Sequence, residues 1–176
     1  YTEKHWEVDD VENVEFLNEG ERAGLKITKK FKNSTIVQSI YLYNNIDKID
    51  FENYIDWKES HLILKTAFPV DVNTNKATYD IQFGSVERPT HKNTSWDAAR
   101  FEVCAHKYCD LSEYGYGVSL MNDCKYGHAI HDGVMSLTLL KCGTFPDPDA
   151  DKCEHRFTYS LFPHAGDYRE AGTIKK

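Results

Sequence analysis

Apolar and polar side chains alternate with a period of two along most of this chain, and no stretch shows the 3.6-residue stripe of an amphipathic helix. The clearest run is 49–57. Ile49, Phe51, Ile55 and Trp57 point one way, interrupted by Asn53, while Asp50, Glu52 and Asp56 point the other. This predicts a strand with one buried and one wet face. Leu62, Leu64 and Phe68 repeat the pattern, with Thr66 between them. Ala77, Tyr79, Ile81 and Phe83 alternate with Thr78, Asp80 and Gln82. Leu25, Ile27 and Phe31 do so with Lys26, Thr28 and Lys30, and Ile36, Ile40 and Leu42 follow. Further runs are Phe101-Val103-Ala105, Met135-Leu137-Leu139 and Phe157-Tyr159-Leu161. Roughly ten strands are expected on this criterion.

The punctuation agrees. Asp132-Gly133 between two apolar runs predicts a type I′ hairpin. Asn18-Glu19-Gly20 marks a second turn, and residues 97–100 have room for one helical turn. Pro146-Asp147-Pro148-Asp149-Ala150-Asp151 is an extended acidic connection that a helix or central strand would not tolerate. Its carboxylates lack the spacing of a calcium loop. The expected fold is all-β, an antiparallel two-sheet sandwich, with residues 1–176 as a single domain.

The 176 residues suit one domain, and 40% hydrophobic with 28% charged residues is a globular composition. The net charge of −7 and the lack of a Lys/Arg block argue against a nucleic-acid partner. No apolar run reaches the roughly 18 residues of a membrane helix. The chain opens on Tyr1 without a signal peptide, and reads as a piece of a longer protein. Five cysteines cannot all pair, which suggests free thiols in a reducing, cytoplasmic compartment. The sequons at Asn33 and Asn93 are then unused. Cys104, His106 and Cys109 lack a second pair at zinc-module distance, and His128 and His131 fall on opposite faces of a strand. No metal site is expected in this chain.

From residue 84 to 127 polar, aromatic and glycine residues crowd together beyond what a turn needs, as in a long irregular connection. Glu87, Arg88, His91, Trp96, Asp97 and Arg100 lie close together there. Such a set suits a sugar: planar groups for hydroxyls and an indole face for stacking. It equally suits a polar network pinning one strand to another. Tyr79 precedes the stretch and shares a strand face with core residues. Glu87 and Asp97 form the best carboxylate pair for a glycosidase, but nothing singles them out as catalytic.

A run of motifs carries a family resemblance. It includes Ile49-Asp50-Phe51-Glu52, His61-Leu62-Ile63-Leu64-Lys65 and Phe83-Gly84-Ser85-Val86-Glu87-Arg88-Pro89-Thr90-His91. Asn93-Thr94-Ser95-Trp96-Asp97, Arg100-Phe101-Glu102-Val103, Asn122-Asp123-Cys124-Lys125-Tyr126-Gly127 and Phe157-Thr158-Tyr159-Ser160-Leu161-Phe162-Pro163-His164 continue it. From about residue 22 to 168 the chain resembles the C-terminal β region of glycoside hydrolase family 38 α-mannosidases, most closely the bacterial and cytosolic branch. The resemblance implies a galactose-mutarotase-like supersandwich. It implies a parent that is a retaining, zinc-dependent exo-α-mannosidase, whose nucleophile and most zinc ligands sit in N-terminal catalytic and helical domains. This chain would then be a β domain inactive by itself, with those domains and α-mannoside glycans as partners. Tyr79, Glu87, Arg88, His91, Trp96 and Asp97 are the expected residues that line or brace the sugar pocket. The alternative is an autonomous carbohydrate-binding module. A domain cut from a larger body should expose an apolar patch of several hundred Å², a free-standing module a polar surface with one aromatic groove.

Overall fold

The computed structural model describes residues 4–175. Thirteen strands follow one another: β1 (Asp10–Asn18), β2 (Arg22–Phe31), β3 (Ser34–Tyr43), β4 (Ile49–Asp56), β5 (Leu62–Pro69), β6 (Lys76–Ile81), β7 (Gly84–Pro89), β8 (Val103–Cys104), β9 (Tyr108–Glu113), β10 (Tyr116–Asn122), β11 (Gly127–His131), β12 (Val134–Cys142) and β13 (Glu154–Ala165). The helical content is one turn, α1 (Ser95–Ala98), and a 3₁₀ turn at Thr173–Lys175. The all-β expectation holds.

The strands form two antiparallel sheets. The large one has nine strands in the order β1-β2-β3-β4-β13-β10-β9-β6-β7, the small one four in the order β5-β12-β11-β8. They pack as a sandwich. Cross-strand partners share a face, so the inner face of the large sheet follows from its register. Tyr79 pairs with Cys109, Cys109 with Leu120, Leu120 with Leu161. In the small sheet His128 pairs with Leu137 and Ile130 with Met135. All of these except Leu161 are essentially sealed from solvent. Phe68 of β5 lies 5.4 Å from Phe51 of β4 and 6.1 Å from Tyr159 of β13, ring centre to ring centre. The edge of the small sheet therefore sits over β4 and β13.

The turns behave as their chemistry dictates. Asp132 and Gly133 both have positive φ (52° and 73°), the backbone a type I′ turn demands, and β11 and β12 close around them with His131 opposite Val134. Gly20, at φ 81°, closes the β1–β2 hairpin.

Several expectations need correction. Phe83 does not join the core: it occupies the tip of the β6–β7 hairpin with φ 63° and is fully exposed. Phe101 is exposed too, because the expected 101–105 strand shrinks to Val103–Cys104. The helical turn begins two residues before the expected 97–100, at Ser95, where Thr94 caps it by accepting from the Asp97 amide. Asp50 is buried, not wet. Tyr43 and Ser160 each donate a hydroxyl hydrogen bond to it at 2.5 Å, and Lys48 pairs with it at 3.2 Å. Burial pushes its carboxyl up, yet the Ser160, Tyr43 and Lys48 interactions outweigh that and leave it below the ordinary aspartate range. Finally, 84–127 is no single irregular connection. It holds β7, α1, β8, β9 and β10 and is irregular chiefly between 90 and 102.

On the outer face of the large sheet, residues 166–175 form a strap. Tyr168 packs on Tyr108, ring centres 5.6 Å apart, and its hydroxyl lies 3.0 Å from Ser85 Oγ. Thr173 Oγ1 sits 2.9 Å from Ser119 Oγ. Beneath the strap, Ser119 donates to Asp110 Oδ2 at 2.7 Å, and His164 Nε2 lies 2.8 Å from the same oxygen.

Candidate functional site

A small cleft opens between the two sheets where β7 runs into the irregular loop. Tyr79, Arg88, His91, Asp97 and Arg100 border it from one side, and Val103 of β8 with His128, Ile130 and His131 of β11 from the other. Its interior volume is about 10 Å³, room for roughly one water molecule.

Each lining group is placed by an identifiable local cause. Tyr79 sits mid-strand in β6 and is buried, which raises its phenol pKa, with Cys109 adding to the rise and Arg88 opposing it. Arg88 pairs with Ala77 across the β6–β7 ladder and so shares the inner face with Tyr79. Its guanidinium stands over the Tyr79 ring, 4.7 Å from the centroid. Asp97 lies in the first turn of α1. Thr94 donates to Asp97 Oδ2 at 2.7 Å while capping the helix, and His91 and Arg100 each approach the carboxylate to 3.9 Å. The Thr94 hydrogen bonds chiefly, with the neighbouring His91 and Arg100 in addition, hold the Asp97 carboxyl below the ordinary aspartate value against the push of burial.

Three buried polar atoms around the cleft have no hydrogen-bond partner among the described residues: Arg88 Nη1, His128 Nδ1 and His131 Nδ1. Burial pushes the His128 pKa down to about 4; the Lys125 backbone opposes this and Arg88 adds to it. The imidazole is therefore neutral at pH 7. The lining carries two guanidinium groups against the one carboxylate of Asp97. The interior can hydrogen-bond a single small polar molecule, and the exposed rim formed by His91 and Arg100 meets the outside.

Of the six residues expected from sequence, four meet here: Tyr79, Arg88, His91 and Asp97. Trp96 does not line the cleft. It stands on α1 with 80% of its surface exposed, an indole free to be covered. Glu87 is separated from the others. In a strand, neighbours point to opposite faces, so Glu87 projects outward, where Lys76 pairs with it at 3.0 Å. The Glu87–Asp97 pairing is not realised. In the sequence His128 and His131 stand out only as candidate metal ligands, yet both border the cleft. The signal for His128 was its place on the inner face of a hairpin strand.

A second polar cluster invites a catalytic reading and does not support one. Ser119, His164 and Asp110 contain the residue types of a hydrolytic triad. A triad needs the imidazole to bridge its partners through two different nitrogens. Here His164 Nε2 faces both Asp110, at 2.8 Å, and Ser119, at 3.2 Å, while its Nδ1 has no hydrogen-bond partner among the described residues. Thr173 covers the serine. The cluster anchors the strap. Among the described residues no group of three or more His, Cys, Asp or Glu side chains is placed to hold a metal ion. No helix among them is long and apolar enough to cross a membrane.

Comparison with known proteins follows the same lines. Residues 1–149 match the model of the glycosyl hydrolases family 38 C-terminal domain. The chain is 48% identical over 143 residues to Alpha-mannosidase 2C1 of Homo sapiens, covering 81% of this chain and 14% of that protein. It is 46% identical over 144 residues to Alpha-mannosidase G of Dictyostelium discoideum, covering 82% of this chain and 13% of the relative. The chain thus spans about one seventh of the length of these relatives. Among solved structures, an alpha-mannosidase from Enterococcus faecalis V583 superposes with a TM-score of 0.80 at 17% identity, over 94% of this chain and 24% of that one, a likeness of fold.

Proposed function

Because this chain belongs to the glycosyl hydrolase family 38 C-terminal domain family, we propose that it is the C-terminal β domain of a retaining, zinc-dependent exo-α-mannosidase and shapes the sugar site of that enzyme's N-terminal catalytic domain. The zinc and the nucleophilic carboxylate belong to the catalytic domain. This chain by itself is inactive toward α-mannosides. Its partners are the catalytic and helical domains of its own parent and the α-mannoside glycans the parent cleaves. Its five unpaired thiols suit a reducing compartment such as the cytoplasm.

The observation that carries this reading is the convergence of Tyr79, Arg88, His91 and Asp97 on one cleft in which Arg88 Nη1 has no acceptor. A buried guanidinium N–H without an acceptor is costly in a closed structure. The cleft has room for one water molecule to meet that N–H, and the half-exposed side chains of His91 and Arg100 at its rim are the ones another surface can reach. Trp96, exposed beside it, offers an aromatic face of the kind sugars stack on. An autonomous carbohydrate-binding module is the weaker reading. Such a module would be polar outside its groove, whereas here Val14, Phe16, Leu25 and Leu42 are all more than two-fifths exposed.

The test is kinetic, in the full-length enzyme. Arg88→Ala or Trp96→Ala lowers kcat/KM tenfold or more, about 1.4 kcal/mol of transition-state stabilisation, with little change in Tm. Normal kinetics in both variants, or loss of activity that only follows unfolding, would show the loop to be a strand-pinning network.

A further inference from the structure

The two sheets are unequal, and the mismatch exposes a specific surface. Cross-strand pairing defines a row on the inner face of the large sheet: Phe16 opposite Leu25, Leu25 opposite Ile40, Ile40 opposite Phe51, Phe51 opposite Tyr159. Exposure along it climbs from 2% at Tyr159 to 44% at Leu25 and 72% at Phe16. The neighbouring row rises in the same way towards Leu42, at 59%. The face does not become polar as it leaves the core. It simply runs out of cover, because β5, the last strand of the small sheet, lies over β4 and β13. Residues Lys4–Val8 border the groove at the Phe31–Trp57 end, and Lys29 Nζ donates to the Val8 carbonyl at 3.2 Å. Among the described residues nothing packs over the end of the face bearing Phe16, Leu25 and Leu42.

We infer that the small sheet is completed at the free edge of β5 by further strands of the same parent polypeptide, which cover the inner face of β1, β2 and β3. Three arguments select this occupant. The small sheet has β5 at its edge, paired on the β12 side, so its other side presents a row of backbone donors and acceptors that an added strand satisfies. The bare face is three strands wide, roughly 14 Å at 4.7–4.9 Å per strand, a width that about three added strands fill. The relatives carry most of their length outside the region this chain matches, so polypeptide is available. This inference does not depend on the role of Arg88 or Trp96 in sugar binding.

Hydrogen–deuterium exchange on the full-length enzyme tests it without any substitution. Alternate amides of an edge strand point to opposite sides. With added strands, the amides of 62–68 exchange slowly on both sides, and those facing away from β12 are slowed at least a hundredfold relative to open chain. Phe16→Cys in the same enzyme then resists maleimide until the protein unfolds. Exchange at open-chain rates for the outward half of those amides, or labelling of residue 16 at the rate of a free thiol, overturns the inference. Protection that disappears on dilution also overturns it, because the occupant is then a second copy.

Discussion

Arg88 and Tyr79 stand on adjacent strands with the guanidinium carbon 4.7 Å from the phenol ring centre, while Nη1 of the same guanidinium meets no acceptor. The contact holds the guanidinium over the ring, while that N–H stays unpartnered among the described residues. A lysine keeps the charge but loses both the plane and the fork.

Arg88→Lys in the full-length enzyme is therefore expected to keep less than a tenth of the wild-type kcat/KM, with a melting temperature within about 2 °C of wild type. Steady-state kinetics on an aryl α-mannoside beside thermal melts provides the check. Full activity in the lysine variant would mean that charge alone suffices, and that the forked geometry of the guanidinium is incidental.

His128 makes stability pH-dependent. Its folded pKa, about 4, lies below the unfolded value of 6.5. Between those values the unfolded chain takes up a proton that the folded chain refuses, so the contribution is fully present above pH 6.5 and fades as pH falls towards 4. The loss is at most about 3 kcal/mol. Urea unfolding at pH 7 and pH 4.5 should show the drop, and His128→Gln should remove most of it. A variant with the same acid sensitivity as wild type would place the cause in other groups.

Gly117 sits where a side chain does not fit. A Cβ there would lie 2.3 Å from Ser112 Oγ and 2.5 Å from His164 Cε1. Gly117→Ala should destabilise by about 1–3 kcal/mol, the usual range for overpacking, and loosen the strap that Thr173 pins to Ser119. Limited proteolysis between 165 and 172 gives a direct reading. A variant as stable and as resistant as wild type would show that the Ser112 and His164 side chains move aside freely.

The thiols should divide into two classes. Cys104, Cys124 and Cys153 are exposed, and Cys109 and Cys142 are buried. Burial raises the buried pair's pKa values, that of Cys142 to about 11, with Asp151 contributing. A thiol reagent should find three groups in the folded chain and five after denaturation without reductant. Two missing groups after denaturation would reveal a disulfide.

The sequence showed the strands better than it showed their neighbours. Period-two alternation located β4, β6, β12 and β13 because each has one face in the core. It misplaced Phe83, since alternation counts through a two-residue turn as if the strand continued. It misjudged Asp50 because its hydroxyl partner Ser160 lies 110 positions away. The candidate cleft was legible in part for the same reason. Arg88, His91 and Asp97 are close in sequence, whereas His128 arrives from the opposite sheet. Glu87 separates from Arg88 because 84–89 is a strand, and adjacent strand residues cannot both face inward.

The place of β13 has a consequence for synthesis of the chain on the ribosome. This twelve-residue strand, near the end of the sequence, lies between β4 and β10 and is paired with both. Until it emerges, β1–β4 and the β6–β10 group share no ladder and must wait as two separate pieces. About a hundred residues separate the end of β4 from the start of β13. At roughly 5–20 residues per second that is a delay on the order of 5–20 s. Throughout it, the backbone edge of β4 that β13 takes stands open beside other nascent chains. The central strand is the keystone and is laid late, so the two parts of the large sheet join only once it has emerged.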